Sequence, residues 1–483
     1  MMTFMAQFIH KFKLVAFVCV LGLAGLPATA QEKITLQKAV DYALQRNLTI
    51  KQALVTEKSA DADYQQAKYN QLPSVSASPQ SSYNFGRSAN LATYSYTNQS
   101  YLYLTGQASV QVTVYQGNQL RNQILENKLI LDADKSATAK AKNDLILNVV
   151  TDYLQILANQ DLVTAAKQQL DIANQTLDKA NISFSVGNMT LADQAQAKAQ
   201  VSTAQYNLTA NQNQLDLSIL ILKQYMEMDP ATNIAVEKPD ISKLTDIRTV
   251  FDAGLVVKTA LGVNPDIKLA EAQEKTFEQA IKIAKGNYYP TLTLFAGGGT
   301  SYTSLLKTQQ TGLSPVTAVP IGTVVGTNQV VQAMEQFPIY GPYSGWNQLS
   351  NNFNQSIGLN LQIPIFNKFS ARTSVTKAKL NLENAQLNTA LAKNTLSKTI
   401  IQAVLDLQSA DKQYQSAVQT FQSNKEALNV TKQRYDVGLV NTLDYNTALT
   451  NYNKAQNDMI QAQYTMIFRS KIIDYYLGNT ITL

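Results

Sequence analysis

Four stretches of this chain contain neither glycine nor proline: 118–186, 188–229, 367–437 and 439–477, runs of 69, 42, 71 and 39 residues. The two residues that most readily break a helix are absent there, and Ala, Gln, Leu, Lys and Asn are plentiful. At 1.5 Å per residue the longest runs predict helices of roughly 100 Å. Ordinary globular helices are several times shorter. The runs join in pairs through single glycines, Gly187 and Gly438. The chain is therefore expected to build two long helical hairpins.

The hairpins are copies of one another. "ALQRNLTIK" (Ala43–Lys51) matches "ALGVNPDIK" (Ala260–Lys268), and "AKYNQLPSVS" (Ala67–Ser76) matches "AKGNYYPTLT" (Ala284–Thr293), both at an offset of 217. Further on the offset is 251, pairing Tyr115 with Phe366, Arg121 with Arg372 and Gly187 with Gly438. One unit has been duplicated, and the second copy has gained 34 residues between Pro290 and Phe366. The expected division is a first repeat over 31–229, a linker over 230–265, broken by Pro239, and a second repeat over 266–483.

Apolar residues along the rods step by three and four: Leu170, Ala173, Leu177, Ala180 and Phe184, then Val201, Ala204 and Leu208. Their equivalents include Phe421, Leu428, Tyr435, Tyr452, Ala455 and Met459. This is coiled-coil seam spacing. Asn211, Ser218 and Arg469 interrupt it, as expected for rods with water on one side rather than a thick core.

Between the rods lie segments of period two. "IGLNLQIPIF" (Ile357–Phe366) places Ile357, Leu359, Leu361, Ile363 and Ile365 on one face, and Gly358, Asn360, Gln362 and Pro364 on the other. "YLYLTGQASVQVTV" (Tyr101–Val114) alternates likewise; "PTLTLFAGG" from Pro290 and "PSVSASPQSSYNF" from Pro73 are a third and a weaker fourth. The two strand pairs are expected at about 74–115 and 291–366. Strands of this length with one apolar and one polar face suit a soluble sandwich or a membrane barrel. Four are too few to close a barrel, which takes about eight, so a barrel would need several chains.

The first thirty residues read as a secretory signal peptide. Lys11 and Lys13 precede the apolar run "LVAFVCVLGLAGL", and Ala28 and Ala30 form a small-x-small site before Gln31. Cys19 lies inside the apolar run and is followed by Val20, which favours a plain signal over a lipid-anchored one. Cleavage would remove the chain's one Cys and one His (His10). No thiol, disulfide, imidazole base or Cys/His metal site would remain, and no phosphate loop, dinucleotide fingerprint or hydrolase elbow is present. An enzyme is not expected, nor a cofactor or metal. The remaining 38 Lys and Arg against 34 Asp and Glu, net +4, are too balanced for a nucleic-acid binder. No apolar stretch after residue 30 reaches the roughly 18 residues of a spanning helix, so entry into a membrane would be by β-strands. Thr303–Asn352, with Lys307 and Glu335 as its charges and Trp346 near its end, is expected to be an external loop. Gly297–Gly299 reads as strand flexibility rather than a phosphate site, because no Lys or helix start follows.

Taken together, these features resemble the outer-membrane efflux protein family, the TolC-type channels of Gram-negative bacteria. The resemblance covers nearly the whole chain after the signal. It is carried most specifically by "SVGNMTLAD" and "YDVGLVNTLD" at the turns, and by "VYQGNQLR" and "IFNKFSAR" where strands pass into helices. It implies a mainly α fold with membrane β-strands: a duplicated helix–strand–strand–helix–turn–helix unit in a homotrimer. Twelve strands would form one barrel in the outer-membrane lipid, continued by a long α-helical barrel of twelve columns in the periplasm, with 230–265 as an equatorial belt. Implied partners are a periplasmic adaptor and an inner-membrane pump of RND, ABC or MFS type.

Local chemistry at the two turns is plain from the residues. Gly187 and Gly438 suit the left-handed helix-ending position. Thr190 and Asn441, three residues on, are placed to cap the next helix. Asp193 and Asp444 fall in its first turn, where the helix dipole favours an acid. All of this is equally the chemistry of an ordinary helix end. The resemblance adds roles. The tips, at Gly187, Asn188, Thr190, Gly438, Leu439 and Asn441, would dock the adaptor. Tyr435 and Asp193 match positions that bond between neighbouring hairpins to hold a gate closed, and Asp444 matches an acid of a ring at the aperture. Two departures stand out: Thr447 occupies the place of the ring's second acid, and Val440 that of a gate-holding arginine. A weaker latch and lower cation selectivity are expected. Two other readings are a periplasmic adaptor, which would carry one hairpin with lipoyl-like modules, and a secreted coiled-coil structural protein, which has no use for lipid-facing strands.

Overall fold

The structure is a computed structural model that describes residues 32–90, 95–239 and 248–479. The expected signal peptide, 1–30, lies outside the described residues. In chain order the first repeat forms β1 (Glu32–Ile34), α1 (Leu36–Arg46), α2 (Leu48–Tyr69), β2 (Ser74–Asn84), β3 (Arg87–Asn90), β4 (Ser95–Asn98), β5 (Tyr101–Gln116), α3 (Gln119–Ser185) and α4 (Leu191–Tyr225). There follow β6 (Ile234–Val236), α5 (Ala253–Val263), α6 (Pro265–Gly286), β7 (Thr291–Thr303), β8 (Thr308–Leu313) and β9 (Thr317–Thr323). The chain ends with β10 (Val330–Glu335), β11 (Pro338–Pro342), α7 (Gly345–Asn351), β12 (Asn354–Gln362), α8 (Ser370–Asp436) and α9 (Thr442–Leu477).

The duplication is repeated element for element. α3 and α8 are both 67 residues long and begin 251 positions apart. α2 and α6 are both 22 residues long and begin 217 apart. The helices fill the glycine- and proline-free runs with small losses at the ends: α4 stops at Tyr225, and α8 starts at Ser370. The chain forms two compact units, each drawn from both repeats. One comprises the described residues of Met1–Lys58, Ala133–Glu271 and Leu387–Leu483; the other comprises Ser59–Asp132 and Ala272–Gln386.

The first unit is helical, with two equivalent cores. In one, Val149, Val150, Tyr153, Leu154 and Leu157 of α3 pack with Leu222, Ile467 and the strand residues Ile34 and Val236. β1 and β6 pair in parallel there. The Tyr153 hydroxyl shares its one proton between the carbonyls of Ile34 (3.1 Å) in β1 and Glu237 (2.6 Å) just past β6, tying both strands to α3. The other core repeats this with Leu396, Ile400, Val404 and Leu407 of α8 against Val256, Ile267 and Ile473. The expected linker 230–265 thus contributes β6 and α5, while 240–247 lie outside the described residues. Two of the polar seam residues are paired. Buried Ser218 receives a hydrogen bond from Asn159 (3.0 Å), and Arg469 meets Asp406 at 3.1 Å. Among the described residues, the buried side-chain atoms without a partner are Asp152 Oδ2 on α3 and, on α9, both amide atoms of Asn446 and the Oδ1 of Asn453. Burial pushes the Asp152 carboxyl up to about 7.

The main sheet of the second unit is four-stranded and antiparallel, in the order β12–β7–β5–β2. Two expectations for its strands are corrected. β12 runs from Asn354 and stops at Gln362, so Ile363 and Ile365 fall outside it; Pro364 has no N–H to continue a ladder. In β5 the register shifts between Thr113 and Tyr115, so Tyr115 instead of Val114 opposes Leu292. That is a β-bulge, one extra residue in one strand. The segment 303–352, expected as a loop, is folded: β8 pairs with β11, β9 with β10, and α7 follows.

Both strand-to-helix junctions use two successive left-handed residues, Gly117 and Asn118 in the first repeat, Lys368 and Phe369 in the second. At Gly117 a Cβ would lie 2.5 Å from the Gly286 carbonyl oxygen, so glycine is required there for space as well as for φ.

Candidate functional site

Two parts of the molecule carry functional geometry, one in each unit. In the helical unit they are the hairpin tips. α3 ends with Gly187 at φ +76, its N–H bonding the Phe184 carbonyl at 3.0 Å and the Asn188 N–H reaching Ser183 at 2.8 Å. α8 ends in the same way: Gly438 at φ +78, Gly438 N–H to Tyr435 at 3.0 Å, Leu439 N–H to Arg434 at 2.8 Å. This pair of bonds is the Schellman ending, which closes orphan carbonyls through a left-handed residue. Thr190 and Asn441 are the N-caps of α4 and α9, accepting from the backbone N–H groups of Asp193 (3.2 Å) and Asp444 (2.8 Å). Asp193 completes a capping box by accepting from the Thr190 hydroxyl (2.7 Å) and N–H (3.3 Å).

The structure places Asp193 and Tyr435 in separate contacts. Hydrogen bonds from Thr190 and from Thr442 hold the Asp193 carboxyl below the usual carboxylate range. Since Thr442 opens α9, this carboxylate already joins the first hairpin to the second. The Tyr435 ring stacks on Tyr445 at 4.7 Å and 10°. Buried Tyr445 bonds Thr176 of α3, and burial raises its hydroxyl above the ordinary tyrosine value. Lys179 and Asp436 form an ion pair at 3.1 Å between α3 and α8. Asp444 and Thr447 are exposed on α9. Around the turns Val186, Leu191, Val437, Leu439 and Leu443 are all more than three-fifths exposed. Sequence reasoning missed Thr176, Lys179, Asp436, Thr442 and Tyr445. A usable signal existed in the repeat: Lys179 stands opposite Val430 and Asp436 opposite Ser185, two places where the copies differ in charge.

In the other unit the functional surface is the sheet. Residues paired across the strands share a face, and the rows alternate in character. Ile357–Ala296–Val110–Val75 and Leu359–Leu294–Val112 are apolar. The intervening rows, Ser356–Gly297–Ser109–Ser76 and Asn354–Gly299–Gln107–Ser78, are polar. Gly297 and Gly299 lie on this polar face, where a Cβ would come within 3.1–3.2 Å of the carbonyls of Ala108 and Gly106. Their role is close strand packing. Ile357 is 77% exposed. β12 and β2 are the two edges of the sheet. No described helix is long and apolar enough to cross a membrane.

Long coiled hairpins, together with strands that are apolar on one face and polar on the other, define a channel-forming class of membrane protein. A family model for outer membrane efflux proteins matches residues 39–226 and 256–479. The chain is 22% identical over 474 residues to outer membrane protein TolC of Escherichia coli (strain K12), covering 96% of this chain and 86% of that one. The match to TolC of Salmonella enteritidis is 23% over 339 residues, 69% of this chain and 61% of that protein, less than two thirds of its length. The fold is similar to the CmeC outer membrane channel of Campylobacter jejuni, with a TM-score of 0.72 at 19% identity over 92% of this chain and 85% of that one. The chain belongs to the outer membrane efflux protein family. Its place is the outer membrane, and its task is efflux.

Proposed function

We propose that this chain is the exit duct of a tripartite efflux pump: a passive, gated homotrimeric channel from periplasm to exterior. The observation that carries this reading is the four-stranded, two-faced sheet with its edges β12 and β2 open. An open edge in lipid leaves backbone groups with no partner, so strands that cross a membrane must close into a barrel. Four strands fall short of the smallest barrels, of about eight; three copies would supply twelve. The apolar rows would face lipid, the Ser, Gln, Asn and Gly rows the lumen.

The helical hairpins would form the periplasmic tunnel, with 230–265 as its belt. The exposed apolar residues around Gly187, Asn188, Thr190, Gly438, Leu439 and Asn441 suit an adaptor's helical hairpin. Energy would come from an inner-membrane transporter of RND, ABC or MFS type, and the duct itself needs no cofactor and performs no catalysis. Asp444, repeated three times about the axis, would favour cations at the aperture, while Thr447 and Val440 weaken that ring and its latch. Asp193 and Tyr435 would belong to the hairpin contacts that hold the tip closed.

The test is to purify the full chain in detergent, measure its oligomeric mass, and record conductance in planar bilayers. A trimer that conducts, and whose cation preference falls in Asp444→Asn, is the expected result. A monomer without conductance would sink the proposal.

A further inference from the structure

β7 and β12 are joined through an arm made of the β8–β11 and β9–β10 pairs. Between Thr308 and Pro342 the one charged residue is Glu335. The arm is exposed, yet much of its surface is apolar: Ile321, Val330, Met334, Phe337, Ile339 and Tyr340 are each roughly half to three-quarters exposed. Exposed apolar side chains concentrated in one nearly uncharged segment point to an interaction surface. Pro320, Pro338 and Pro342 remove N–H donors from the arm's strands, so the contact would be made by side chains and not by an added strand.

The arm is held firmly at its base. Gln348 of α7, 1% exposed, donates to the Leu306 carbonyl (2.7 Å) and accepts from the Thr303 N–H (3.0 Å). Thr300 donates to the Leu349 carbonyl (2.6 Å), and Asn352 to that of Ser301 (2.7 Å). A base tied to β7 this closely presents its apolar surface in a fixed place.

A second exposed apolar patch lies at the same end of the sheet but at its opposite edge. Phe85, just past β2, is 80% exposed and contacts the ring of Tyr83, 58% exposed, at 5.0 Å. When copies close a ring, edge β12 of one meets edge β2 of the next. The contact is head-to-tail, joining two different surfaces of the same chain. The long arm beside β12 then comes next to the neighbour's β2 end, where the described part of the connection carries the short β3–β4 pair. Among the described residues each patch lacks a cover within one copy, and each lies where the other copy's patch would arrive.

We propose that the apolar arm Thr308–Pro342 of one copy packs onto the exposed aromatic end of β2, Tyr83 and Phe85, of the next copy around the barrel. The arm is a clasp between copies, continuous with the sheet edge it guards. This inference rests on the oligomer proposed above.

The test places a photo-reactive benzoyl-phenylalanine at Phe85 in the full chain, exported in cells and irradiated. The expected product is an adduct of two copies whose crosslinked peptide maps within 308–342. A companion variant excises the arm, joining Lys307 to Tyr343 through Asn-Gly. Those ends are already neighbours, with the Tyr343 N–H on the Lys307 carbonyl at 2.8 Å. Loss of the adduct, and of the oligomer band at temperatures the intact chain survives, is expected. Adducts with lipopolysaccharide or another protein, peptides outside the arm, or no adduct in a chain that is oligomeric would overturn the clasp alone. An intact chain that is monomeric in detergent would instead overturn the exit-duct reading on which it rests.

Discussion

Single residues show where the two copies of the repeat have been put to different uses. Asp152 sits in the core of the first copy with one carboxylate oxygen unpaired; its equivalent 251 positions on is Ala403, 6% exposed in the second core. The same fold is thus built with a methyl group at that place, and the carboxyl adds a cost without a visible packing role. Burial alone raises it to about 7. Below about pH 4 both folded and unfolded chains hold this proton, and no penalty arises. As pH climbs to 7 the unfolded chain ionises first, and stability falls by about 1.4 kcal/mol for each unit between the two values. Above 7 the loss is complete, on the order of a few kcal/mol. Asp152→Ala is therefore expected to raise the unfolding temperature at pH 8 and to flatten its slope between pH 4 and 7, followed by circular dichroism in detergent. A fall in stability at pH 8 would mean that the carboxylate has a partner in the assembled protein. Gly117 and Lys368 make the complementary point. Both are left-handed; at Gly117 a Cβ would abut the Gly286 carbonyl, so a side chain is closed to that copy, whereas the other carries a lysine at the equivalent place.

At the scale of elements, the ties between hairpins can be ranked by strength. Lys179–Asp436 is exposed on both sides, and such pairs are worth at most about 1 kcal/mol. Tyr445 of the second hairpin reaches the first by bonding Thr176 of α3. It stacks on Tyr435 of its own hairpin, worth about 0.5–1.5 kcal/mol beyond area, and is 4% exposed, so its removal also forfeits buried apolar surface. Tyr445→Ala should therefore raise single-channel conductance through the tip far more than Lys179→Ala; the opposite order would show that charge holds the tip closed. Seam spacing does not reveal either tie; the repeat signals them only where its copies differ in character, Val430 opposite Lys179, Ser185 opposite Asp436 and Gln194 opposite Tyr445. The four long helices were legible because glycine and proline are absent from them, and the turns because glycine, cap and acid recur at one spacing. Three strands could be read from alternation, but their ends could not. A bulge at Tyr115 and the missing N–H of Pro364 decide register and length locally, and a period-two pattern runs through both without a break. The arm was illegible for a related reason: its strands shift register between Val331 and Gln332 and between Ile339 and Tyr340, so no single alternation spans it.

For the whole molecule, the decisive property is which face of the sheet meets lipid, and two adjacent residues can test it. Ile357 lies in the row Ile357–Ala296–Val110–Val75, and Ser356 in the next row, Ser356–Gly297–Ser109–Ser76. Both are exposed in the single chain, so burial within one copy does not distinguish them. If three copies close a barrel with the apolar rows outward, Ile357→Arg places a guanidinium in hydrocarbon three times over, at about 2–4 kcal/mol per copy near the midplane. That penalty competes with the whole stability of a typical domain, on the order of 5–15 kcal/mol. Ser356→Arg places the same charge in a watery lumen, where it costs little and adds three positive charges to the path. The expected outcomes are therefore opposite. Ile357→Arg should fail to accumulate in outer-membrane fractions, while Ser356→Arg should assemble to normal levels and shift bilayer selectivity toward anions. If both variants assembled normally, neither face would touch lipid, and the sheet would be a soluble one. If only Ser356→Arg failed, the barrel would be closed with its faces the other way round.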